Sequence, residues 1–237
     1  MYEFVNDTEI KPYRSYCSEI LADLRDLLLE EYEINTQFIL VGSGARNMVM
    51  RDGSGPFDLD YNLVIINMPN KFWNDLGKLK NTVISSLNRI VGRSLFSDGH
   101  DSTSVISAYI YTTINHPSFN VDIAILGKNQ QGTYCRLIHD KYNCTYTWCQ
   151  VPSSKKVGSK VKEIKAQGRW NEVRDAYLRL KNLYLSRGDR DHPSFVVYVE
   201  AVQQVYQKIQ SKKSQTQKQS KQQNKNKTQP QKKTRKK

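Results

Sequence analysis

Apolar and polar residues alternate over 57–66: Phe57, Leu59, Tyr61, Leu63 and Ile65 share one face of a strand, and Asp58, Asp60 and Asn62 share the other. A second alternation, Phe119, Val121, Ile123 and Ile125, predicts a strand over 119–126 with Asp122 on its opposite face. Another strand is expected near 105–114. The run Phe38-Ile39-Leu40-Val41 reads as a strand stopped by Gly42-Ser43-Gly44. Helical spacing lies between these segments. Ile20, Leu24, Leu27 and Leu28 stripe a helix over 16–31; Trp73, Leu76, Leu79, Val83, Leu87 and Ile90 stripe one over 72–91. After about residue 150 only the helical period remains, over 156–167, 169–187 and 194–210. Trp170, Val173, Tyr177, Leu180 and Tyr184 stripe the middle segment, Gly168 and Gly188 act as stops, and Pro193 suits the first turn of the last helix.

The expected class is α+β: a small mixed sheet with helices over 1–150, then a helical domain over 151–210. Residues 211–237 contain no aliphatic or aromatic residue. Burial there cannot offset the entropy of ordering, so this Lys/Gln-rich tail is expected to be disordered. The tail also explains the charge. The chain carries a net +13, but eleven Lys or Arg and no Asp or Glu fall in 211–237, which leaves the first 210 residues at about +2. Such a tail could hold RNA through its phosphates without sequence preference, and with no interleaved aromatics it would not stack on bases. A solubilising appendage is the plainer alternative.

No apolar stretch reaches the roughly 18 residues needed to cross a bilayer, and no membrane role is expected. The N-terminus, Met1 to Asp7, is acidic and lacks a basic-then-apolar leader pattern, so a cytoplasmic protein is expected. Cys135, His139, Cys144 and Cys149 are spaced by three, four and four residues, without the two-residue knuckle of tight zinc sites. Buried free thiols and a surface histidine are the favoured reading over zinc.

The chemistry concentrates in three places. Asp58 and Asp60 leave one face of a strand, Asp122 sits on another strand, and Gly42-Ser43 ends a third, with fourteen residues between Ser43 and Asp58. Two carboxylates about 4 Å apart repel by roughly 4 kcal/mol at an effective dielectric near 20. Mg²⁺ or Mn²⁺ removes that penalty, and oxygen-only ligands suit these ions. Gly42 lets the backbone approach a phosphate, Ser43 can donate to it, and a helix expected to start after Gly44 would add a positive dipole end. Asp122 is preferred as third carboxylate over Asp98, Asp101 and Asp140, because a strand with an apolar opposite face has no structural use for Asp.

The stretch Phe38 to Ile66, FILVGSGARNMVMRDGSGPFDLDYNLVII, resembles the signature of the DNA polymerase beta-type nucleotidyltransferase superfamily. The Gly-Ser-x-Ala-Arg-Asn part is most similar to the branch of CCA-adding enzymes, poly(A) polymerases and oligoadenylate synthase-like enzymes. The resemblance implies a palm-like mixed sheet, Mg²⁺ (or Mn²⁺) and a nucleoside triphosphate donor. It implies that Gly42 and Ser43 hold the triphosphate, that Asp58 and Asp60 hold both metals, and that Asp122 is the third ligand and acceptor-side base. Arg46 could reach the γ-phosphate or cap a surface. Val173 to Gly188 resembles the post-palm helix of poly(A) polymerase-like enzymes, which would make Lys181 a triphosphate contact rather than a solvated lysine. Two positions depart from the pattern: Phe57, where Ser or Thr often precedes the first Asp, and Met48, where Thr is frequent. The implied function is transfer of a nucleoside monophosphate to an acceptor hydroxyl, with RNA favoured as acceptor. The alternatives are a transferase that modifies a protein, a transfer RNA or a small molecule, and a non-catalytic palm-like binding module.

Overall fold

The structure, a computed structural model, describes residues 1–91, 99–110, 119–129, 131–151, 155–189 and 192–227. The chain divides into two compact units, Met1–Ser153 and Ser154–Lys237. In chain order the first holds β1 (Tyr2–Phe4), α1 (Asp7–Tyr32), β2 (Asn35–Leu40), a 3₁₀ turn (Gly44–Arg46), β3 (Met50–Asp52), β4 (Phe57–Asn67), α2 (Asn70–Trp73), α3 (Leu76–Val91), β5 (His100–Asp101), β6 (Ile106–Ile110), β7 (Phe119–Lys128), β8 (Tyr134–Asp140) and β9 (Thr145–Gln150). The second holds α4 (Lys155–Ala166), α5 (Trp170–Ser186) and α6 (Ser194–Lys227). The expected α+β order, mixed sheet then helices, holds.

Seven strands form the main sheet, in the order β2-β4-β7-β6-β5, with β8 on β7 and β9 on β8. Among the described residues only β4 and β7 pair in parallel. A parallel pair needs a crossover connection, and the chain between them includes α3. The alternation of β4 and β7 then has a physical reading. Phe57, Leu59, Leu63 and Ile65 join Phe119, Val121, Ile123 and Ile125 in one buried core, against Ile20, Leu24 and Leu28 of α1 and Leu79, Val83 and Leu87 of α3. Each such side chain contributes about 1.5–3 kcal/mol on burial. Phe57 stacks on Phe119 with centroids 5.5 Å apart, and Tyr13 meets both edge-on at 5.3 and 4.9 Å. This cluster is why an aromatic can stand directly before Asp58.

Several elements differ from their sequence expectation. Helix α1 begins at Asp7, not at 16, because Asn6 caps it by accepting from Thr8 N at 3.0 Å and the buried stripe continues upstream through Cys17, Tyr13 and Ile10. The helix expected over 72–91 is two. Asn74 ends α2, and Asp75 Oδ1 accepts from Lys78 N at 2.8 Å to start α3. That break buries Phe72 and leaves Trp73 exposed. The helix expected after Gly44 is a single 3₁₀ turn, ended by Asn47 in the left-handed region at φ 55. Beyond it Met48 and Val49 turn into the core. Of the strand expected over 105–114, residues 111–114 lie outside the described set.

In the second unit, Val173, Ala176, Tyr177 and Leu180 of α5 and Val197, Ala201, Val202, Val205 and Ile209 of α6 are buried. Gly168 and Gly188, at φ 67 and 62, close α4 and α5. The backbone of α6 stays helical to Lys227, past the boundary expected at 210. Its run of Lys and Gln lacks apolar residues but consists largely of good helix formers. Among the described residues no helix is long and apolar enough to cross a membrane.

Candidate active site

The turn after β2 is pressed against β4. Val41 N donates to Asp60 O at 2.8 Å, and Gly42 follows at φ +63. A Cβ at Gly42 would overlap Asp60 Oδ2 and stand 2.9 Å from its Cγ, so both backbone conformation and space demand glycine. Ser43 O accepts from Arg46 N at 3.1 Å and Met48 N at 3.0 Å, which closes the turn. Arg46 Nη1 donates to Gly42 O. Arg14, reaching from α1, donates to Gly44 O at 2.8 Å and to Asn47 Oδ1 at 3.1 Å. With one 3₁₀ turn in place of a helix, the dipole argument lapses; glycine-turn geometry and the Ser43 hydroxyl are what remain for a phosphate.

Asp60 is the register partner of Asp122 across the parallel β4–β7 pair, and Asp58 is the partner of Asn120. Because side chains alternate, all four residues lie on the face opposite the core. Asp58 accepts from Asn120 Nδ2 at 2.7 Å, and Asp122 accepts from Ser107 Oγ on β6 at 2.6 Å. Burial, then the charges of Asp122 and Asp58, push the Asp60 carboxyl up to about 6, against the opposing pull of Arg136 and Arg46. Burial and the Asp58 charge also raise Asp122, although the Ser107 hydrogen bond works the other way.

The donor set is all oxygen, on one face and in register, which fits a hard divalent ion. As placed, no group of three His, Cys, Asp or Glu among the described residues is gathered for a metal. Carboxylates that repel one another turn to neutral donors, here Asn120 and Ser107.

The competing acids are accounted for differently. Asp101 pairs with Ile106, whose partner is Ile123, so it lies on the core face. There it meets Lys80 Nζ at 2.5 Å, His139 Nδ1 at 2.7 Å and Tyr146 Oη at 3.2 Å. Asp140 closes the β8–β9 turn, accepting from Asn143 Nδ2 at 2.7 Å and Tyr142 N at 3.0 Å. Asp98 lies outside the described residues. Lys181 is in the second unit, where Nζ donates to Ser194 Oγ at 3.1 Å. Of the faint zinc set, all three cysteines are free, Cys135 is buried, Cys144 and Cys149 are exposed, and His139 is engaged with Asp101.

Sequence reasoning missed Ser107, Asn120 and Arg136. Asn120 could have been found, since it is two residues before Asp122 in the same alternation. Arg136 sits on β8, a strand whose alternation is too weak to stand out in the sequence.

Two solved structures share this architecture. A STING-associated CdnE c-di-GMP synthase from Capnocytophaga granulosa matches with a TM-score of 0.54 at 18% identity, over 84% of this chain and 60% of that one. The Vibrio cholerae DncV cyclic AMP-GMP synthase, in complex with the linear intermediate 5′ pppA(3′,5′)pG, matches with a TM-score of 0.53 at 10% identity, over 75% and 60%. The chain thus spans about 60% of the length of each. At these identities the likeness shows the fold: that of the polymerase beta-like nucleotidyltransferases. No protein-family model matches the chain, and no curated protein does.

Proposed function

We propose that this chain is a nucleotidyltransferase that moves a nucleoside monophosphate from a nucleoside triphosphate to an acceptor hydroxyl. The observation that carries the proposal is the parallel register of β4 and β7, which sets Asp60 beside Asp122 on one face, next to a turn that only glycine can make. Asp58, Asp60 and Asp122 would hold Mg²⁺ or Mn²⁺. When bound, such ions offset charge on phosphoryl oxygens and acidify the attacking hydroxyl. Gly42 and Ser43 cradle the triphosphate, with Arg46 beside the turn. Asp122 accepts the proton of the acceptor hydroxyl. The hydroxyl oxygen forms the bond to the α-phosphorus, the bond from that phosphorus to the α–β bridging oxygen breaks, and pyrophosphate leaves with the bridging oxygen.

RNA is the first acceptor proposed, held through the basic residues from 211 onward. A nucleotide hydroxyl is the second, favoured by the likeness to two cyclic dinucleotide synthases. One experiment separates them. The protein is incubated with Mg²⁺ and each α-labelled nucleoside triphosphate, with and without total RNA. Label in RNA supports the first acceptor, and label in a small dinucleotide product without RNA supports the second. Label in protein points to a protein-modifying transferase. No transferred label under any condition contradicts the catalytic proposal.

A further inference from the structure

The turn over 42–47 is held from outside by a residue of another element. Gly42 at φ +63, followed by Ser43 in the right-handed region at φ −68 and ψ −35, brings successive N–H groups to one side of a tight turn. The amides of Gly42, Ser43 and Gly44 reach no acceptor among the described residues, whereas those of Ala45, Arg46 and Met48 are spent on Val41 O and Ser43 O. The first three are the donors the turn has left for an anion. Such a shape needs support. The 3₁₀ segment is three residues long, and it closes on Asn47 at φ 55, a region uncommon outside glycine.

Arg14 supplies the support. Its Nη2 donates to Gly44 O at 2.8 Å and to Asn47 Oδ1 at 3.1 Å, so one guanidinium ties the start of the 3₁₀ turn to its left-handed end. Its Nη1 donates to Asp7 Oδ1 at 2.7 Å, which commits the fork within the protein. Arg14 stands on α1, whose Ile10, Tyr13 and Cys17 are buried in the core. The turn is thereby fixed to a helix that is itself seated in the core. Arg46 acts on the other side of the turn: its bond to Gly42 O orients the peptide plane that carries Ser43 N–H.

We propose that Arg14 is a positioning residue for donor binding: it touches no phosphate, and it holds the turn in the shape whose free amides receive the triphosphate. The proposal rests on the nucleotidyltransferase reading, which puts the donor at this turn. Lysine is no substitute, because one ammonium does not span Gly44 O, Asn47 Oδ1 and Asp7 as a planar fork does.

The test uses the full chain with Mg²⁺ as wild type, Arg14→Lys, Arg14→Ala, Asn47→Gly and the double variant Arg14→Ala/Asn47→Gly, each first checked by thermal melting. Glycine at position 47 keeps the left-handed backbone and removes only the acceptor. Calorimetry with a non-hydrolysable triphosphate analogue reads donor affinity, and single-turnover transfer at saturating donor reads rate. Arg14→Ala should weaken analogue binding about tenfold and change the saturated rate by less than about threefold, so that the loss falls on KM and not on kcat. Arg14→Lys should still bind at least about threefold more weakly than wild type. Asn47→Gly should lose about threefold, and the double variant should bind within about twofold of Arg14→Ala, since both changes remove one contact. Wild-type affinity in Arg14→Lys means that Arg14 acts by charge alone and overturns the assignment. So do unchanged affinity in Arg14→Ala or Asn47→Gly, and losses that multiply in the double variant. Should Arg14→Ala not fold, Arg14→Lys and Asn47→Gly decide alone. A wild type that binds no analogue defeats the donor-site reading, and this proposal with it. A wild type that binds the analogue but transfers no label defeats the catalytic proposal only, and the affinity measurements still decide the role of Arg14.

Discussion

On the helix-covered face of the sheet, Asp101 is surrounded by groups that favour its charge; on the other face, Asp60 is surrounded by groups that oppose it. Burial would raise the Asp101 carboxyl, but the hydrogen bond and charge of Lys80, then those of His139, hold it below the ordinary value. Burial and two neighbouring acids raise Asp60 to about 6. Both clusters belong to one sheet, so local dielectric alone does not separate them. The difference is that the chain supplies Asp101 with its cation, Lys80, itself 1% exposed. The polar face has arginines near Asp60, yet they do not outweigh the acids. A self-neutralised cluster is a structural device, whereas the Asp60 side of the sheet, where acids outweigh the cations beside them, is the candidate for binding one.

This contrast can be broken from either side. The largest stability effect is expected from Lys80→Met, which leaves the part-buried Asp101 without its lysine. A loss of about 3–5 kcal/mol is expected, a fall in melting temperature on the order of 10 °C, with partial recovery in Lys80→Met/Asp101→Asn. Thermal melting of the three proteins checks it, and no recovery in the double variant would mean that Lys80 acts through packing alone. Asp60→Asn should do the opposite. A carboxyl raised from 3.8 to about 6 binds more protons folded than unfolded between those values, so wild-type stability falls as pH rises through that window. Without metal the variant should therefore be more stable at pH 7.5 by about 1–3 kcal/mol, and the gain should vanish near pH 4. A variant that melts lower at pH 7.5 would remove the repulsion from the account.

Asp101 predicts the reverse slope on the acid side. Its lowered carboxyl contributes stability that is full above about pH 4 and is lost as pH falls through the lowered value. Asp101→Asn should flatten the acid limb of the stability curve relative to wild type, read from denaturant melts between pH 5 and 2.5. The smallest effect is expected from removing residues 216–237, a run with no aliphatic or aromatic residue. Ile209 is the last buried apolar residue of α6 among those described, so the melting temperature should move by less than about 1 °C.

The two clusters were not equally legible in the sequence. Asp58 and Asp60 could be placed on one face because β4 alternates without a break, and Asp122 because β7 does. That Asp60 stands opposite Asp122 is a matter of parallel register across some sixty residues, which alternation does not contain. Lys80 left a signal that went unused: it lies four residues after Leu76 and three before Val83, inside the apolar stripe of α3. His139 and Tyr146 lie on β8 and β9, whose alternation is blurred by polar residues on both faces, and with β8 went Arg136. The turn after Gly44 was not legible, because Gly-Ser-Gly signals a stop without specifying the next element; Asn47 in the left-handed region decides against a helix.

The central claim is that the acids of the polar face, not those of the core face, carry the chemistry. It is tested by comparing Asp122→Asn with Asp101→Asn, both below their melting temperatures, for single-turnover transfer of an α-labelled nucleoside triphosphate and for donor affinity. Asp122→Asn should lose at least about a thousandfold in rate while donor affinity stays within about threefold, and Asp101→Asn should keep near wild-type rate. Near-normal turnover in Asp122→Asn, with loss in Asp101→Asn, would contradict the account.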